Sequence, residues 1–407
     1  EGEELTLYQK KFSMKEILNR LASGGFETRM YYSVQRDEVY CKIRCPLDRL
    51  EREADRVDYK LQLEPLALQA VCEAGRPGRW GPIKIQDKHK QCCYEPFQHI
   101  YAQYEYDRPE VAHLYRRYGD GVKRTPFRGV DRLKIEYGVM VAKRGDGGCN
   151  LDIVRLVKNK CVMAFFPLHD KVEMRSLQLK WLRFFQWPWN QPIDDVKDYY
   201  GEKVGLYFLW VAHYTTWLLP AALVGLLCWI NVASAGNDPN TPGAAAFAVF
   251  IALWSTCFCE FWKRKQAMYA MKWGMVGFEA EEQTRPQFKG DRSTDPVDGS
   301  PIDYFPPSEA RRRASLSATV IFGLILVVIA SVGSIFVMKY FLTTSVDLTV
   351  SGIPFGSILP SLANAIQIQV MNLVYGSMAI ALNDHENHRT DTAYEDALIA
   401  KTFLFQF

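Results

Sequence analysis

Residues 361–396 read SLANAIQIQVMNLVYGSMAIALNDHENHRTDTAYED, and the first 22 of them, residues 361–382, carry no charged side chain. At about 1.5 Å per residue, a helix of that length is roughly 33 Å long, which is enough to cross a bilayer core of about 30 Å. The run is nevertheless rich in amides and hydroxyls. It therefore predicts a membrane helix that must place polar groups away from lipid.

At about 100° per residue, six polar side chains of this helix fall within about 160° of one face, and Gln369 falls just outside that arc. The members of this polar face are Ser361, Asn364, Gln367, Asn372, Tyr375 and Asn383. The opposite face carries Ile366, Val370, Leu373, Val374, Ile380 and Ala381. Such a polar face either forms hydrogen bonds to neighbouring helices or lines a wet path through the membrane. The spacing by itself is compatible with both interpretations.

The chain has 407 residues and a net charge of +3, which indicates no nucleic-acid partner. Residues 1–200 are rich in charge and contain short alternating segments, whereas residues 201–407 contain long apolar runs. We therefore expect a soluble domain over 1–200, ending in an aromatic segment, followed by a polytopic membrane domain over 201–407. The cysteines show no pair of CxxC units, so they favour reduced thiols over a zinc site.

The membrane part contains four runs that are long enough to span a bilayer, and a fifth that begins near 401–407. The predicted spans are 204–230, 243–262, 316–338 and 361–382. The loop over 263–313 contains ten Lys and Arg residues, whereas the loops over 231–242 and 341–360 contain none. The positive-inside rule therefore predicts that the N-terminus and the 263–313 loop are cytosolic.

The soluble part alternates short helices and strands, which predicts a compact α+β domain of the ferredoxin-like kind. The predicted elements are a helix over 11–21, strands over 28–34 and 38–44, a helix over 46–58, a strand over 59–63, a loop over 74–92, a partly helical segment over 94–118 and a segment over 127–141 with a strand-like end. The glycine cluster at 144–148 lacks the strand–loop–helix context of a nucleotide site.

The sequence HENH at 385–388 is not the HExxH zinc motif, because its histidines are three residues apart and no third ligand is evident. A capped elbow between two helices is the better interpretation. Thr390 or Asp391 would cap a following helix that carries Tyr394, Leu398 and Ile399.

Five motifs give the chain a family resemblance. They are PLHD at 167–170, QPIDDVKDYYGEKVGLYF at 191–208, ALWSTCFCEFWKRKQA at 252–267, PIDYFPPSEARRR at 301–313 and LNDHENHRTDTAYEDALIAKTFLFQF at 382–407. In this order they resemble the anoctamins, which are dimeric, calcium-activated chloride channels and phospholipid scramblases with ten membrane helices. The resemblance covers most of the chain and is weakest over 65–125. It implies a ferredoxin-like cytosolic domain and a homodimer.

The resemblance also implies roles for particular residues. In the family, helices three to seven line a groove that passes ions or lipid headgroups, and the polar face falls on the fourth helix. This adds weight to the wet-path interpretation for Ser361, Asn364, Gln367, Asn372 and Tyr375. Lys339 would attract anions or lipid phosphates near the outer mouth, or else lie at the membrane interface as a snorkelling lysine.

The resemblance implies Ca²⁺ as the activating ion. Glu260 matches a glutamate of an accessory calcium site, although pairing with Lys263 or Arg264 is the simpler interpretation from spacing. The principal calcium ligands of the family lie on helices six to eight, which we expect beyond Phe407, because Ca²⁺ requires six to eight oxygen ligands. We therefore expect this chain to be the N-terminal part of a longer protein.

Three functions follow as expectations, and none of them is enzymatic. The first is a calcium-activated phospholipid scramblase, with non-selective ion conduction, that moves headgroups along the polar groove. The second is a calcium-activated chloride channel, and the third is a tether at membrane contacts. The expected partners are phospholipids and chloride or other small ions. The expected location is the plasma membrane or an intracellular membrane such as the endoplasmic reticulum.

Overall fold

A computed structural model describes residues 7–74, 98–119, 124–183, 186–236, 241–294, 299, 301–344, 349–350 and 353–406. The chain divides into two compact units, Glu1–Glu281 and Glu282–Phe407. The predicted loop over 74–92 lies almost entirely outside the described residues.

The first unit opens with short helices and two antiparallel strand pairs. Strand β1 pairs with β2, and β3 pairs with β4, so the described strands form separate two-stranded sheets. The elements are α1 (Leu7–Lys11), α2 (Met14–Ser23), β1 (Glu27–Tyr32), β2 (Val39–Arg44), α3 (Leu47–Arg56), β3 (Lys60–Gln62), α4 (Pro65–Ala74), β4 (Tyr101–Gln103), α5 (Gly129–Val141), α6 (Ile153–Lys158), α7 (Lys171–Trp181) and α8 (Ile193–Tyr200).

Several local predictions in this region are confirmed. Ser13 accepts a hydrogen bond from the Glu16 amide and so caps α2, which covers most of the predicted helix over 11–21. The predicted hairpin is present as β1 and β2, with Glu27 opposite Arg44. Helix α3 begins directly after Pro46, where an extended backbone suits a proline.

One local prediction is wrong. The segment 127–141 is helical from Gly129 to its end at Val141, because the side chain of Asp131 accepts hydrogen bonds at the helix N-terminus and the buried Ile135 and Val139 recur at helical spacing. In the described part of 94–118, the helical portion is the short 3₁₀ helix Pro109–Val111, and Tyr101–Gln103 is a strand. Residues 94–97 of this segment lie outside the described residues.

The core of this region lies between α2, α3, α5 and the strand β3. Its fully buried members include Leu50, Ala54, Val139, Cys149, Leu151 and Leu156. These side chains come from elements that each present one apolar side, and burial of a leucine contributes about 1.5–3 kcal/mol. The core is therefore contributed by α-helices more than by the paired strands.

A buried ion pair connects the core to α8. Asp131 is almost fully buried, and it accepts hydrogen bonds from the Arg128 guanidinium at 2.8 Å and from the Tyr59 hydroxyl at 2.8 Å. Burial would raise the pKa of Asp131, but the hydrogen bonds and charge of Arg128 outweigh it and hold this pKa below its usual value. Arg128 also contacts Asp198 of α8 at 2.6 Å.

A second connection joins α8 to the end of a long membrane-type helix, α10 (Pro242–Lys272). Asp194 accepts hydrogen bonds from Lys272 at 2.6 Å and from the Trp273 indole at 2.9 Å. Tyr101 of β4 donates its hydroxyl to the Lys272 carbonyl at 3.1 Å. Gly274 has φ of +70° and lies against the Tyr101 ring, so a Cβ at this position would clash with the ring.

Four helices in the described residues are long and apolar enough to cross a membrane. They are α9 (Glu202–Ser234), α10, α12 (Pro307–Thr344) and α13 (Phe355–Glu386), and in α13 the qualifying segment begins at Ile358. These helices contain the four predicted spans and extend beyond them at both ends. Helix α14 (Asp391–Gln406) starts ten residues before the expected beginning of a fifth span at 401.

The second unit consists mainly of α12, α13 and α14, which pack against one another. Two small hairpins accompany them. The hairpins are β5 (Asp291–Thr294) with β6 (Pro301–Tyr304), and β7 (Thr349–Val350) with β8 (Ile353–Pro354). In the first unit, α9 packs against α10, and the short helix α11 (Phe278–Glu281) follows α10.

We predict that Arg128→Gln destabilises the protein by about 3 kcal/mol, because removal of one partner leaves the Asp131 carboxylate buried and uncompensated. The measurement is thermal unfolding in detergent, followed by tryptophan fluorescence. Arg52→Gln is the matched control, since Arg52 forms an ion pair with Asp48 in which both side chains are more than half exposed. Equal melting temperatures for the two variants would contradict the prediction.

Candidate permeation site

The polar face of α13 packs on protein in its C-terminal half. The buried side chains Tyr375, Ala379, Asn383 and Glu386 fall within about 80° of one another around the helix, on the polar face. The apolar side chains on the opposite face are exposed, among them Ile366, Val370, Leu373, Val374 and Ile380. Exposed apolar side chains on a membrane helix are suited to contact with lipid.

We call the part of the polar face from Tyr375 to the C-terminal end of α13 its lower half. This half is covered by α14. Tyr375 is 3% exposed, and its ring stacks on Phe405 with a centroid separation of 3.7 Å. Its hydroxyl donates to the backbone carbonyl of Lys401. Asn383 is fully buried and donates to the Tyr394 carbonyl at 2.9 Å. Tyr375 and Asn383 therefore form hydrogen bonds to a neighbouring helix, which is the first of the two interpretations of the polar face.

The upper half of the polar face, from Ser361 to Asn372, is more open. Asn372 and Ser361 are exposed, whereas Asn364 and Gln367 are half-buried. The Oε1 atom of Gln367 is inaccessible to solvent and accepts no hydrogen bond from the described residues. An unpaired buried amide oxygen costs about 1–3 kcal/mol, so this position favours a polar neighbour that can donate. Water or a headgroup that carries an N–H donor would supply such a partner once the side chains that cover this oxygen move aside.

Two further predicted residues lie apart from these contacts. Lys339 is exposed near the C-terminal end of α12. An exposed lysine at this position suits both the attraction of anions and a place at the membrane interface. Glu260 of α10 forms an ion pair with Lys263 at 2.7 Å, and both side chains are more than 60% exposed. This is the pairing that spacing favoured for Glu260.

Calcium does not fit the described residues. Three or more His, Cys, Asp or Glu side chains do not come together as a possible metal site anywhere in the described part of the chain. Glu260 supplies one carboxylate with a lysine ammonium beside it, whereas Ca²⁺ requires several oxygen ligands. The described residues of this chain therefore do not form a calcium site by themselves.

A buried cluster lies where α13 and α14 meet, and sequence reasoning did not single out its central residue, Lys401. The ammonium group donates to Glu386 at 2.8 Å and to Asn383 at 2.9 Å, and the side chain is 10% exposed. His388 contacts the same Glu386 oxygen at 2.8 Å. The available signal was that Lys401 is the single charged residue within 397–407.

The elbow between α13 and α14, residues 387–390, is capped as predicted. Thr390 accepts a hydrogen bond from the Ala393 amide at 3.2 Å, which confirms it as the cap of α14. Asn387 has φ of +61°, and its side chain pairs with both the amide and the carbonyl of Lys289 at 2.9 Å. The elbow is therefore bound to the segment that precedes α12.

Arg285 reinforces this attachment. Its amide donates to the Arg389 carbonyl at 2.8 Å, and its guanidinium donates to Asp391 at 2.8 Å. The guanidinium also lies 3.8 Å from the centroid of the Tyr394 ring. Burial, together with the hydrogen bond to Asp384, raises the pKa of Tyr394, so its hydroxyl stays protonated as a donor.

These observations define the class of protein: a multi-pass α-helical membrane protein with a polar face on a membrane helix. Residues 196–407 match the family model described as "Anoctamin: Calcium-activated chloride channel". The match covers more than half of the chain. The protein therefore belongs to the anoctamin family.

Individual relatives agree with this assignment. The chain is 30% identical to anoctamin-7 of Mus musculus over 319 residues, 63% of this chain and 37% of the relative. It is 29% identical to anoctamin-3 of Mus musculus over 351 residues, 70% of this chain and 36% of the relative. It is 27% identical to anoctamin-4 of Bos taurus over 99% of this chain and 52% of the relative. The chain thus spans about a third to a half of the length of these relatives.

We predict that Asn383→Leu destabilises the packing of α13 on α14 by about 2 kcal/mol, because it removes one acceptor of the buried Lys401 ammonium and the donor to Tyr394. Thermal unfolding in detergent measures the change. Asn372→Leu is the matched control, since it makes the same substitution at an exposed position of the same helix. Equal loss of stability in both variants would contradict the assignment of Asn383 to a helix contact.

Proposed function

We propose that the protein is a calcium-activated phospholipid scramblase in which the upper polar face of α13 contacts lipid headgroups, with non-selective ion conduction along the same path. Asn364, Gln367 and Asn372 are the proposed contact residues, with Ser361 at the end of the face. The observation that carries the proposal is the buried Gln367 oxygen, which accepts no hydrogen bond from the described residues.

The chemistry of this face suits a zwitterionic headgroup. Transfer of an unpaired polar group into hydrocarbon costs roughly 4–8 kcal/mol, and a charged group costs more. Amide side chains and associated water replace part of the lost hydration, and they carry no net charge that would bind a phosphate or an ammonium group too strongly. Residues 361–382 contain no charged side chain at all, which supports a path that lets the headgroup leave as readily as it enters.

Tyr375 has a different role in this proposal. Since its ring and hydroxyl are used in packing against α14, we assign it to the boundary where the open upper half of the polar face meets the covered lower half. Headgroup contacts would then begin above Tyr375.

A calcium-activated chloride channel is the second candidate. It is favoured by the description of the matching family model and by the exposed Lys339, whose charge would attract an anion. Neutral amides bind chloride only weakly, so a channel would depend on Lys339 more than on the polar face.

Further proposals accompany this function. We infer that the N-terminus and the 263–313 loop are cytosolic, because that loop holds ten Lys and Arg residues. We infer a ferredoxin-like relationship for the soluble part from its element order, α2–β1–β2–α3–β3–α4–β4. A homodimer and a location in the plasma membrane or the endoplasmic reticulum are proposed from family membership alone.

We predict that the triple variant Asn364→Leu, Gln367→Leu, Asn372→Leu slows lipid transfer at least about tenfold, since each lost polar contact contributes about 0.5–1.5 kcal/mol. The assay uses the full-length protein in liposomes with fluorescent lipid, and external reductant reports the exposure of inner-leaflet lipid with and without calcium. The matched control replaces Ile366, Val370 and Val374 with leucine on the opposite face, where we expect unchanged transfer.

Chloride flux measured on the same liposomes separates the candidates. Lipid transfer that the triple variant slows supports the scramblase. Chloride flux without lipid transfer, reduced by Lys339→Gln, supports the channel. Absence of both activities supports the membrane tether, and unchanged lipid transfer in the triple variant removes the polar face from the mechanism.

A further inference from the structure

Lys401 is bound to α13 through both its side chain and its backbone. Its ammonium group donates to Glu386 and Asn383, and its backbone carbonyl accepts the hydroxyl of Tyr375. In α13, Tyr375 and Glu386 are separated by about three helical turns. One residue of α14 therefore fixes this helix against a long stretch of the polar face.

The ion pair within this contact is buried on both sides. The side chains of Lys401 and Glu386 are 10% and 7% exposed. Buried pairs add little net stability compared with apolar packing, but removal of one partner leaves an uncompensated charge. The pair therefore favours one arrangement of α13 and α14, because separation of the helices leaves each charge without its partner.

His388 competes for the same carboxylate. Its Nε2 atom lies 2.8 Å from the Glu386 oxygen that also accepts from Lys401, and its ring meets Tyr394 edge to face. The other charged group facing it is Arg285, which approaches from the segment before α12. A proton on His388 would add a second cation to the Glu386 carboxylate that already accepts from Lys401, while Arg285 is paired with Asp391.

We propose that Lys401 and Glu386 are positioning residues that hold α14 over the lower half of the polar face, and that protonation of His388 weakens this hold by competing for Glu386. The consequence for transport rests on the proposed function: when α14 moves away, Tyr375 and Asn383 are uncovered and the open part of the polar face lengthens. The positional claim itself does not depend on which molecule is transported.

The direction of the pH effect follows from the environment of His388. Burial, which outweighs the hydrogen bond to Glu386, lowers the pKa of His388 below its usual 6.5. The folded arrangement therefore prefers the neutral ring. Its stability is complete above about pH 6.5 and is lost as the pH falls through the lower pKa of the folded state.

The first experiment measures the separation of the two helices in the full-length protein in liposomes. Spin labels replace Leu373 of α13 and Ile399 of α14, which are 75% and 64% exposed, in a background without other accessible cysteines. We expect Lys401→Met and Glu386→Gln to shift the distance distribution to longer values, with no further shift in the double variant. Lys180→Met is the matched control, since Lys180 forms an exposed ion pair with Asp195.

Lys401→Arg keeps the charge and the donors, so we expect it to restore the distribution of the unsubstituted protein. If Lys401→Met does not fold, Glu386→Gln provides the same comparison with almost no change in volume. Distributions that remain unchanged in folded Glu386→Gln would overturn the positioning role, and so would additive shifts in the double variant.

The second experiment follows the same distance between about pH 7.5 and about pH 5.5, the range in which a histidine titrates. We expect the distance distribution to shift to longer values on acidification. We expect His388→Asn to abolish that response, because an amide donates to Glu386 without titrating. An identical response in His388→Asn would overturn the proton-linked part. Because distance is measured without transport, failure of the proposed function leaves these outcomes unaffected.

Discussion

Hydrocarbon offers no hydrogen-bond partner, so every polar side chain on a membrane helix must find one in protein or in water. Helix α13 meets this constraint on a single face. In the lower half of this face, Tyr375 and Asn383 bond to α14, and in the upper half the amides of Asn364, Gln367 and Asn372 are half-buried or exposed. The constraint thus accounts for the packing of α14 on the polar side chains near the C-terminal end of α13.

Polar contacts also determine how the membrane helices are attached to their connections. At the elbow, the Asn387 side chain binds the backbone of Lys289, and the Arg285 amide donates to the Arg389 carbonyl. In the first unit, Asp194 and Asp198 of α8 connect the end of α10 and the start of α5. In both places, polar contacts between residues far apart in the sequence attach a helix to a connecting segment.

Sequence reasoning succeeded where the signal is local. The cap at Thr390 and the hairpin of β1 and β2 depend on residues within a few positions of one another, and both are present. It failed over 127–141, where the buried Arg128–Asp131 pair and helical packing outweigh the strand-like appearance of the segment. It also passed over Lys401, because the importance of that residue depends on partners 15 and 18 positions away.

Four possible membrane helices and the polar face on one of them can be read from the order of residues, because length, charge and periodicity are properties of consecutive residues. The resemblance to the anoctamins rests instead on five sequence motifs. Which polar groups are satisfied by protein depends on the tertiary structure. It places Tyr375 on Phe405 and Asn383 on Lys401, and it leaves the Gln367 oxygen without a donor among the described residues. The reason is that a hydrogen bond requires two groups within about 3 Å, and folding alone brings distant residues that close.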